Sequence, residues 1–235
     1  TRLLTAGHDG TVRLWPVRAG APIVVRDPGG MVHSAALDPA ERLLLVASQD
    51  GTVRIWRADG SALVRELRGH EGTVLFAAWS PDGTRIASAG LDRTVRVWRA
   101  DGSGEPVVLR GHQGALTGVA WTRDGRVISS SQYDAVVRIW PADGSGTPAT
   151  IRLDTPAFRA VPSPDGSLLA AAEQDGALRL FRLSDLQELP PFPARPDGLF
   201  SAAFSPDGGR IALGSQDGTV RILPLHGSGE QLLLR

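Results

Sequence analysis

The sequence repeats one phrase at a nearly constant interval, and this repeat restricts the possible folds more than any other feature. In SQDGTVRIW, Asp50 and Gly51 precede a short strand-like run. The aspartates of the six copies are Asp9, Asp50, Asp92, Asp134, Asp175 and Asp217, which lie 41 or 42 residues apart. A fixed period of this length indicates one supersecondary unit that is copied along the chain.

Each copy carries the signals of four short β-strands. In the third copy the order is WSPDG (79–83), RIASAG, the turn at Asp92, TVRVW, a polar loop and PVVLR (106–110). Asp-Gly between apolar runs favours a tight hairpin, because glycine adopts a positive φ at no steric cost. No helical periodicity interrupts the strands. One four-stranded antiparallel unit cannot bury both of its faces alone, so the sequence predicts an all-β fold, a β-propeller of four-stranded antiparallel blades.

The repeats resemble those of the WD40-repeat β-propeller family over essentially the whole chain. The resemblance rests on Gly69-His70 and Gly111-His112, the SPDG-type turns, the hairpin aspartates and the closing tryptophans. The chain also departs from the family pattern. The family's Asp after Trp is replaced by Pro16, Arg57, Arg99 and Pro141, and the last two units end on Phe181 and Leu223 instead of Trp. These departures indicate a divergent array.

We expect a single domain over residues 1–235, with units at about 1–26, 31–68, 73–110, 115–153, 157–190 and 199–235. Five units carry all four strands, and the first lacks its innermost strand. If the chain continues, the missing strand should lie just before residue 1 or just after residue 235, and the parent could have seven blades. The proline-rich ELPPFPARPDG (188–198) is predicted to form a fourth strand with an irregular edge and the loop after it.

The composition argues against several classes of function. The 25 basic residues are all arginine, they balance 25 acidic residues, and neither sign forms blocks, so a general attraction to nucleic acid or an anionic membrane is not indicated. No aliphatic run approaches the ~18 residues of a membrane helix, and no secretory pattern opens the chain, so we expect a cytoplasmic protein. Without cysteine, and with histidines that lack ligand spacing, we expect no metal and no cofactor.

Two units repeat a set of polar residues that could suggest a hydrolase. His70, Ser88, Asp92 and Trp98 recur with identical spacing as His112, Ser130, Asp134 and Trp140. A converging Ser, His and Asp could activate a nucleophile. The family resemblance instead implies a buried hydrogen-bond chain from Trp through Ser and His to Asp that ties the strands of a blade together. Duplication in two units favours this structural role, so we expect no catalytic residues.

The third strand of every unit carries an arginine at its centre. These residues are Arg13, Arg54, Arg96, Arg138, Arg179 and Arg221. A ring of six cations could bind a polyanion such as a nucleic acid. Placement once per repeat favours a packing role, in which the stem of each arginine covers apolar surface.

The resemblance implies that partners bind at the rim of the central channel. One set of rim positions directly precedes the hairpin aspartates: His8, Gln49, Leu91, Tyr133, Gln174 and Gln216. A second set lies near the start of the inner strands: His33, Leu75, Thr117, Phe158 and Phe200. These residues vary between units, and exposed aromatic anchors are typical of protein-binding surfaces. Alternatively, the phenylalanines fill the channel side of the core.

The sequence therefore predicts a non-catalytic scaffold or sensing module that binds a protein or peptide and neither nucleic acid nor membrane. The absence of Lys and Asn, both encoded by A-rich codons, suggests a bacterial source, and the initial Thr suggests a piece of a larger multi-domain signalling or defence protein. One alternative is a propeller-fold enzyme, a hydrolase or lyase that uses carboxylates in the channel. The other is an anion-binding or nucleic-acid-binding module that uses the arginines.

Overall fold

The computed structural model describes residues 2–190, 198–225 and 231–234. Within these ranges the chain forms only β-strands and turns, arranged as six antiparallel sheets. The sheets are the blades of an all-β, β-propeller fold, which confirms the predicted fold class. No helix in these ranges is long and apolar enough to cross a membrane.

The chain divides into two compact units, the first of which contains three sheets and consists of Thr1–Gly111 and Ala142–Gly144. Sheet 1 consists of β1 (Arg2–Ala6), β2 (Thr11–Pro16) and β3 (Ile23–Arg26). Sheet 2 consists of β4 (Val32–Leu37), β5 (Leu43–Ser48), β6 (Val53–Arg57) and β7 (Leu63–Leu67). Sheet 3 consists of β8 (Val74–Trp79), β9 (Arg85–Gly90), β10 (Thr94–Arg99) and β11 (Val107–Arg110). Among the described residues, sheet 1 therefore has no inner strand, as the sequence predicts.

The second compact unit, His112–Pro141 and Ser145–Arg235, contains the other three sheets. Sheet 4 consists of β12 (Leu116–Trp121), β13 (Val127–Ser131), β14 (Val136–Trp140) and β15 (Ala149–Arg152). Sheet 5 consists of β16 (Ala157–Pro162), β17 (Leu168–Glu173) and β18 (Leu178–Arg182). Sheet 6 consists of β19 (Leu199–Phe204), β20 (Arg210–Ser215), β21 (Val220–Pro224) and β22 (Leu232–Leu234).

Sheet 5 differs from the prediction of five complete units. In the part of the chain that the structure describes, its fourth strand is reduced to an isolated bridge between Phe181 and Glu188. The pairing ends just before Pro190, which has no N–H to donate to the neighbouring strand. Residues 191–197 of the predicted strand and loop lie outside the described residues.

The second strand of sheets 2, 3, 4 and 5 is buried on both faces, which explains its continuous apolar character. In the first compact unit, Leu44 and Val46 of β5 pack with Val12 and Leu14 of sheet 1. The alternate residues of β5, among them Leu45, pack with sheet 3. In the second compact unit, β17 divides its residues between two clusters in the same way. Because successive side chains of a strand point to opposite faces of the sheet, one sheet contributes side chains to two hydrophobic cores.

Every inner strand in the described residues carries a β-bulge at its second residue. The pairing with the next strand skips one residue in β4, β8, β12, β16 and β19. The skipped residues are His33, Leu75, Thr117, Phe158 and Phe200. A bulge leaves its extra residue outside the regular ladder and redirects its side chain, so these five positions are structurally distinct from the rest of each strand.

Candidate functional site

A hydrogen-bond chain crosses sheet 3 beneath its hairpin. Trp98 Nε1 donates to Ser88 Oγ at 2.8 Å, and Ser88 Oγ lies 2.7 Å from His70 Nε2. His70 Nδ1 lies 2.9 Å from Asp92 Oδ2, which also accepts a hydrogen bond from the backbone N–H of Glu71. The Ser88 hydroxyl is fully buried and engaged on both sides. This geometry joins the loop before β8 to β9 and β10.

Sheet 4 contains the same chain, but through Ser129 and not through the predicted Ser130. Ser129 Oγ accepts from Trp140 Nε1 and lies 2.8 Å from His112 Nε2, while His112 Nδ1 lies 2.8 Å from Asp134 Oδ2. Burial lowers the pKa of His112 more than Asp134 raises it.

The sequence indicated Ser130 instead of Ser129 because two length changes between the units compensate each other. The turn before β13 is one residue shorter than the turn before β9, and the hairpin before Asp134 is one residue longer. Because the two changes cancel, the interval between Asp92 and Asp134 remains 42 residues. The pairing reveals them, because Ser129 stands opposite Arg138 just as Ser88 stands opposite Arg96. Ser130 instead directs its hydroxyl to the carbonyl of Phe158, at 3.4 Å.

Alanine substitutions distinguish the two serines. Ser129→Ala should lower the free energy of unfolding by about 2 kcal/mol, because it leaves buried donor and acceptor groups of Trp140 and His112 without their shared partner. Ser130→Ala removes one long hydrogen bond and should cost less than about 1 kcal/mol. Urea denaturation of both variants measures the difference, and a larger loss for Ser130→Ala would contradict the assignment.

Sheet 2 replaces this chain with a buried ionic network that sequence reasoning missed. Arg54 contacts three carboxylates: Asp27 at 2.9 Å, Asp50 at 2.6 Å and Glu66 at 2.8 Å. Burial acts to lower the pKa of Arg54, but the hydrogen bonds with Asp50 and Glu66 outweigh it and raise the pKa. The Asp27 side chain has no solvent exposure and accepts further hydrogen bonds from Ser48 Oγ and the Gly29 N–H. The signal for this network is Asp27 itself, which directly precedes Pro28, the residue that aligns with His70 and His112 in the repeat.

Sheet 5 uses another buried carboxylate, that of Glu173. Its Oε2 accepts hydrogen bonds from the Thr155 N–H and hydroxyl, and its Oε1 lies 3.6 Å from Arg179. Burial raises the pKa of Glu173 despite these hydrogen bonds. Arg179 also pairs with Glu188. Asp27 and Glu173 are thus unrepeated acids, and both are enclosed by partners within their own blades.

The six strand-centre arginines are compensated by neighbouring groups. Four of them pair with the hairpin aspartate of their own sheet, in the pairs Arg13–Asp9, Arg54–Asp50, Arg96–Asp92 and Arg221–Asp217. Arg179 contacts Glu173, Glu188 and Asp154, and Arg138 lies 5.7 Å from the centre of the Trp140 ring. The carboxylates balance the positive charge of five of these arginines locally, and the four pairs with hairpin aspartates tie the third strand to its hairpin.

The predicted rim residues before the hairpin aspartates are mostly exposed. Tyr133 is 64% exposed and Leu91 is 49% exposed. His8, Gln49 and Gln216 are also exposed. Gln174 is half-buried, since its Nε2 donates to the Gln132 carbonyl.

The rim residues on the inner strands are the five bulge residues. Phe200 is 49% exposed, whereas His33, Leu75, Thr117 and Phe158 are half-buried. In the second compact unit, the rings of Phe158 and Phe200 are 4.9 Å apart, and Thr117 Oγ1 donates to the Phe158 carbonyl. The phenylalanines therefore contact one another across two sheets, and Phe200 still presents half of its surface to solvent.

In the first compact unit, two rim histidines from different sheets come into contact. The rings of His8 and His33 are 5.7 Å apart. Burial and the neighbouring His8 lower the pKa of His33. His8 lines a cleft of about 430 Å³ together with Met31, Gln49 and Asp9. In the described ranges no three His, Cys, Asp or Glu side chains converge as metal ligands.

Comparisons with known proteins agree with this arrangement of strands. A family model described as "WD domain, G-beta repeat" matches residues 24–57, 61–99, 105–141 and 188–222. Each of the first three matches begins at or just before the outer strand of one sheet and extends through the third strand of the next. The four matches together cover more than half of the chain. No curated protein matches it.

Proposed function

The chain belongs to the WD40 family, whose members commonly serve as protein-interaction scaffolds, and on this premise we propose that it is a non-catalytic module that binds a protein or peptide through its rim residues. The observation that carries the proposal is the coincidence of the inner rim positions with the β-bulges. The bulge recurs in five sheets at a residue whose type differs between most of them, so the framework stays constant while the side chain changes. Such a design suits recognition.

The exposed apolar residues support a protein or peptide partner over a charged one. Leu91, Tyr133 and Phe200 each expose about half or more of their surface to solvent. Aromatic side chains are enriched among the residues that contribute most to protein–protein binding.

The contacts of the charged residues make the two alternatives less favourable. An anion-binding module would need uncompensated cations, yet the strand-centre arginines contact carboxylates or an aromatic ring. An enzyme that used the unrepeated acids Asp27 and Glu173 would need them to be accessible, yet neither has any side-chain exposure. We therefore propose no catalytic residue, no nucleic-acid partner and no membrane partner.

Affinity capture from a native lysate tests the rim. Tyr133→Ala and Phe200→Ala should each weaken capture of a partner that wild type retains, by about 30-fold if the residue contributes about 2 kcal/mol. Leu233→Ala is the matched control, because Leu233 is similarly exposed, at 46%, but lies on the outer strand β22. Equal capture by wild type and both rim variants would refute the assignment of these residues.

The wider context of the module stays a prediction. We propose that it acts in the cytoplasm within a larger bacterial signalling or defence protein. The coding sequence on either side of these residues tests this directly.

A further inference from the structure

The histidines of this protein fall into two groups by the use of their ring nitrogens. His70 and His112 use both nitrogens inside their blades. His8 and His33 make no hydrogen bond or ion pair with any residue of 2–190, 198–225 or 231–234, and their only specific contact is with each other. Their nitrogen lone pairs are therefore available to an external ligand.

The spacing of the two rings suits a shared metal ion. An imidazole nitrogen binds a metal at about 2 Å, so two imidazoles on one ion have centroids roughly 5–6 Å apart. The centroids of His8 and His33 are 5.7 Å apart, and the ring planes meet at 62°. His8 lies in the hairpin between β1 and β2, whereas His33 is the bulge residue of β4, so folding alone brings them together.

The surroundings of the pair favour a soft metal ion. Met31, which is the only methionine of the chain, lines the same cleft as His8 and is 38% exposed. Asp9 accepts hydrogen bonds from Thr11 and Arg13, and Asp27 Oδ2 accepts them from Ser48 and Arg54, whereas Asp27 Oδ1 is buried without a hydrogen-bond partner. In the described part of the chain, no group of three His, Cys, Asp or Glu side chains could hold a metal ion. Hard ions such as Mg²⁺ and Ca²⁺ need oxygen ligands, whereas a thioether and imidazoles suit copper.

We propose that one Cu(I) ion binds at the edge of this cleft, through the imidazole of His8 and the thioether of Met31, which line it, and the imidazole of His33, which contacts His8. Cu(I) accepts soft ligands, and three protein ligands satisfy its low coordination number. The site goes beyond the proposed interaction function, and it is tested without any partner protein.

A competition titration with the full chain tests the site. Under nitrogen, the protein is titrated into the coloured Cu(I) complex of bicinchoninate, and loss of colour measures transfer of the metal. Wild type should take up one equivalent. His8→Ala/His33→Ala should bind Cu(I) at least about 100-fold more weakly, since each lost ligand costs about tenfold or more.

Three further measurements keep the result decisive. Met31→Leu should weaken Cu(I) binding by about tenfold while Zn²⁺ binding changes less, since a thioether is a poor zinc ligand. Leu91→Ala, at the hairpin position that corresponds to His8, is the control and should bind as wild type does. Copper-edge X-ray absorption should show nitrogen and sulfur neighbours.

Two results would contradict the copper site. Either failure of wild type to withdraw Cu(I) from bicinchoninate, or undiminished binding by the double histidine variant, would exclude the site. Unchanged Cu(I) affinity in Met31→Leu would exclude the thioether as a ligand. Circular dichroism and thermal melting without copper show whether each variant is folded.

Discussion

Replacing Arg54 with methionine should lower the free energy of unfolding by about 3–5 kcal/mol. Arg54 and Asp27 are almost completely buried, with side-chain exposures of 3% and 0%. Methionine fills part of the space but leaves the Asp27 carboxylate with only Ser48 and a backbone N–H as donors. An unpaired buried charge of this kind costs several kcal/mol. Urea denaturation with matched m-values measures the loss.

The chain contains its own control for this experiment. Arg13 occupies the same strand position in sheet 1 and pairs with Asp9, but these side chains are 34% and 52% exposed. Arg13→Met should therefore cost no more than about 1 kcal/mol. Adding Asp27→Asn to Arg54→Met should recover part of the lost stability, because no buried charge remains. Equal losses for Arg13→Met and Arg54→Met would refute the importance of burial.

Replacing His70 with alanine should lower the free energy of unfolding by about 3 kcal/mol. The substitution removes the link between Ser88 and Asp92, and both partners lie in a region with little access to water. Each buried polar group left without a partner costs about 1–3 kcal/mol. Thermal and urea denaturation measure the loss. The control is His8→Ala, which removes an exposed imidazole without a hydrogen bond and should change stability by less than about 0.5 kcal/mol.

The effect of His70→Ala should also depend on pH. Burial acts to raise the pKa of Asp92, but the hydrogen bond and the charge of His70 lower it by more. The pKa of Asp92 therefore lies below its ordinary value of 3.8. A carboxyl group with a lowered pKa in the folded state stabilises the fold above its ordinary pKa, and this contribution disappears as the pH falls through the folded-state pKa. The stability difference between wild type and His70→Ala should therefore shrink below about pH 4. A constant difference from pH 7 to pH 3 would contradict this account.

The local signals of the sequence predicted the strands well because they are short-range. Asp-Gly turns and alternating apolar residues specify hairpins within a few residues, so the order of strands in sheets 2, 3, 4 and 6 follows the repeat. The prolines of sheet 5 indicated an irregular fourth strand. The sequence did not predict that its described part pairs only through the bridge between Phe181 and Glu188, because pairing depends on which N–H groups find a partner across the blade.

The polar interior was less predictable, because spacing along the chain does not determine register between strands. Two offsetting length changes kept the interval between Asp92 and Asp134 regular while they moved the hydrogen-bonding serine to Ser129. In sheet 2 the buried Asp27 pairs with Arg54 and accepts a hydrogen bond from Ser48, contacts that join residues 21 to 27 positions apart.

The sequence by itself determined the repeat, the all-β class and the family, because each of these follows from short patterns that recur along the chain. Only the tertiary structure showed that five rim residues are bulges, that Arg54 is enclosed by three carboxylates and that His8 meets His33. These features join residues from different strands or sheets. Their distances depend on how the strands pair and pack, which no pattern within one unit specifies.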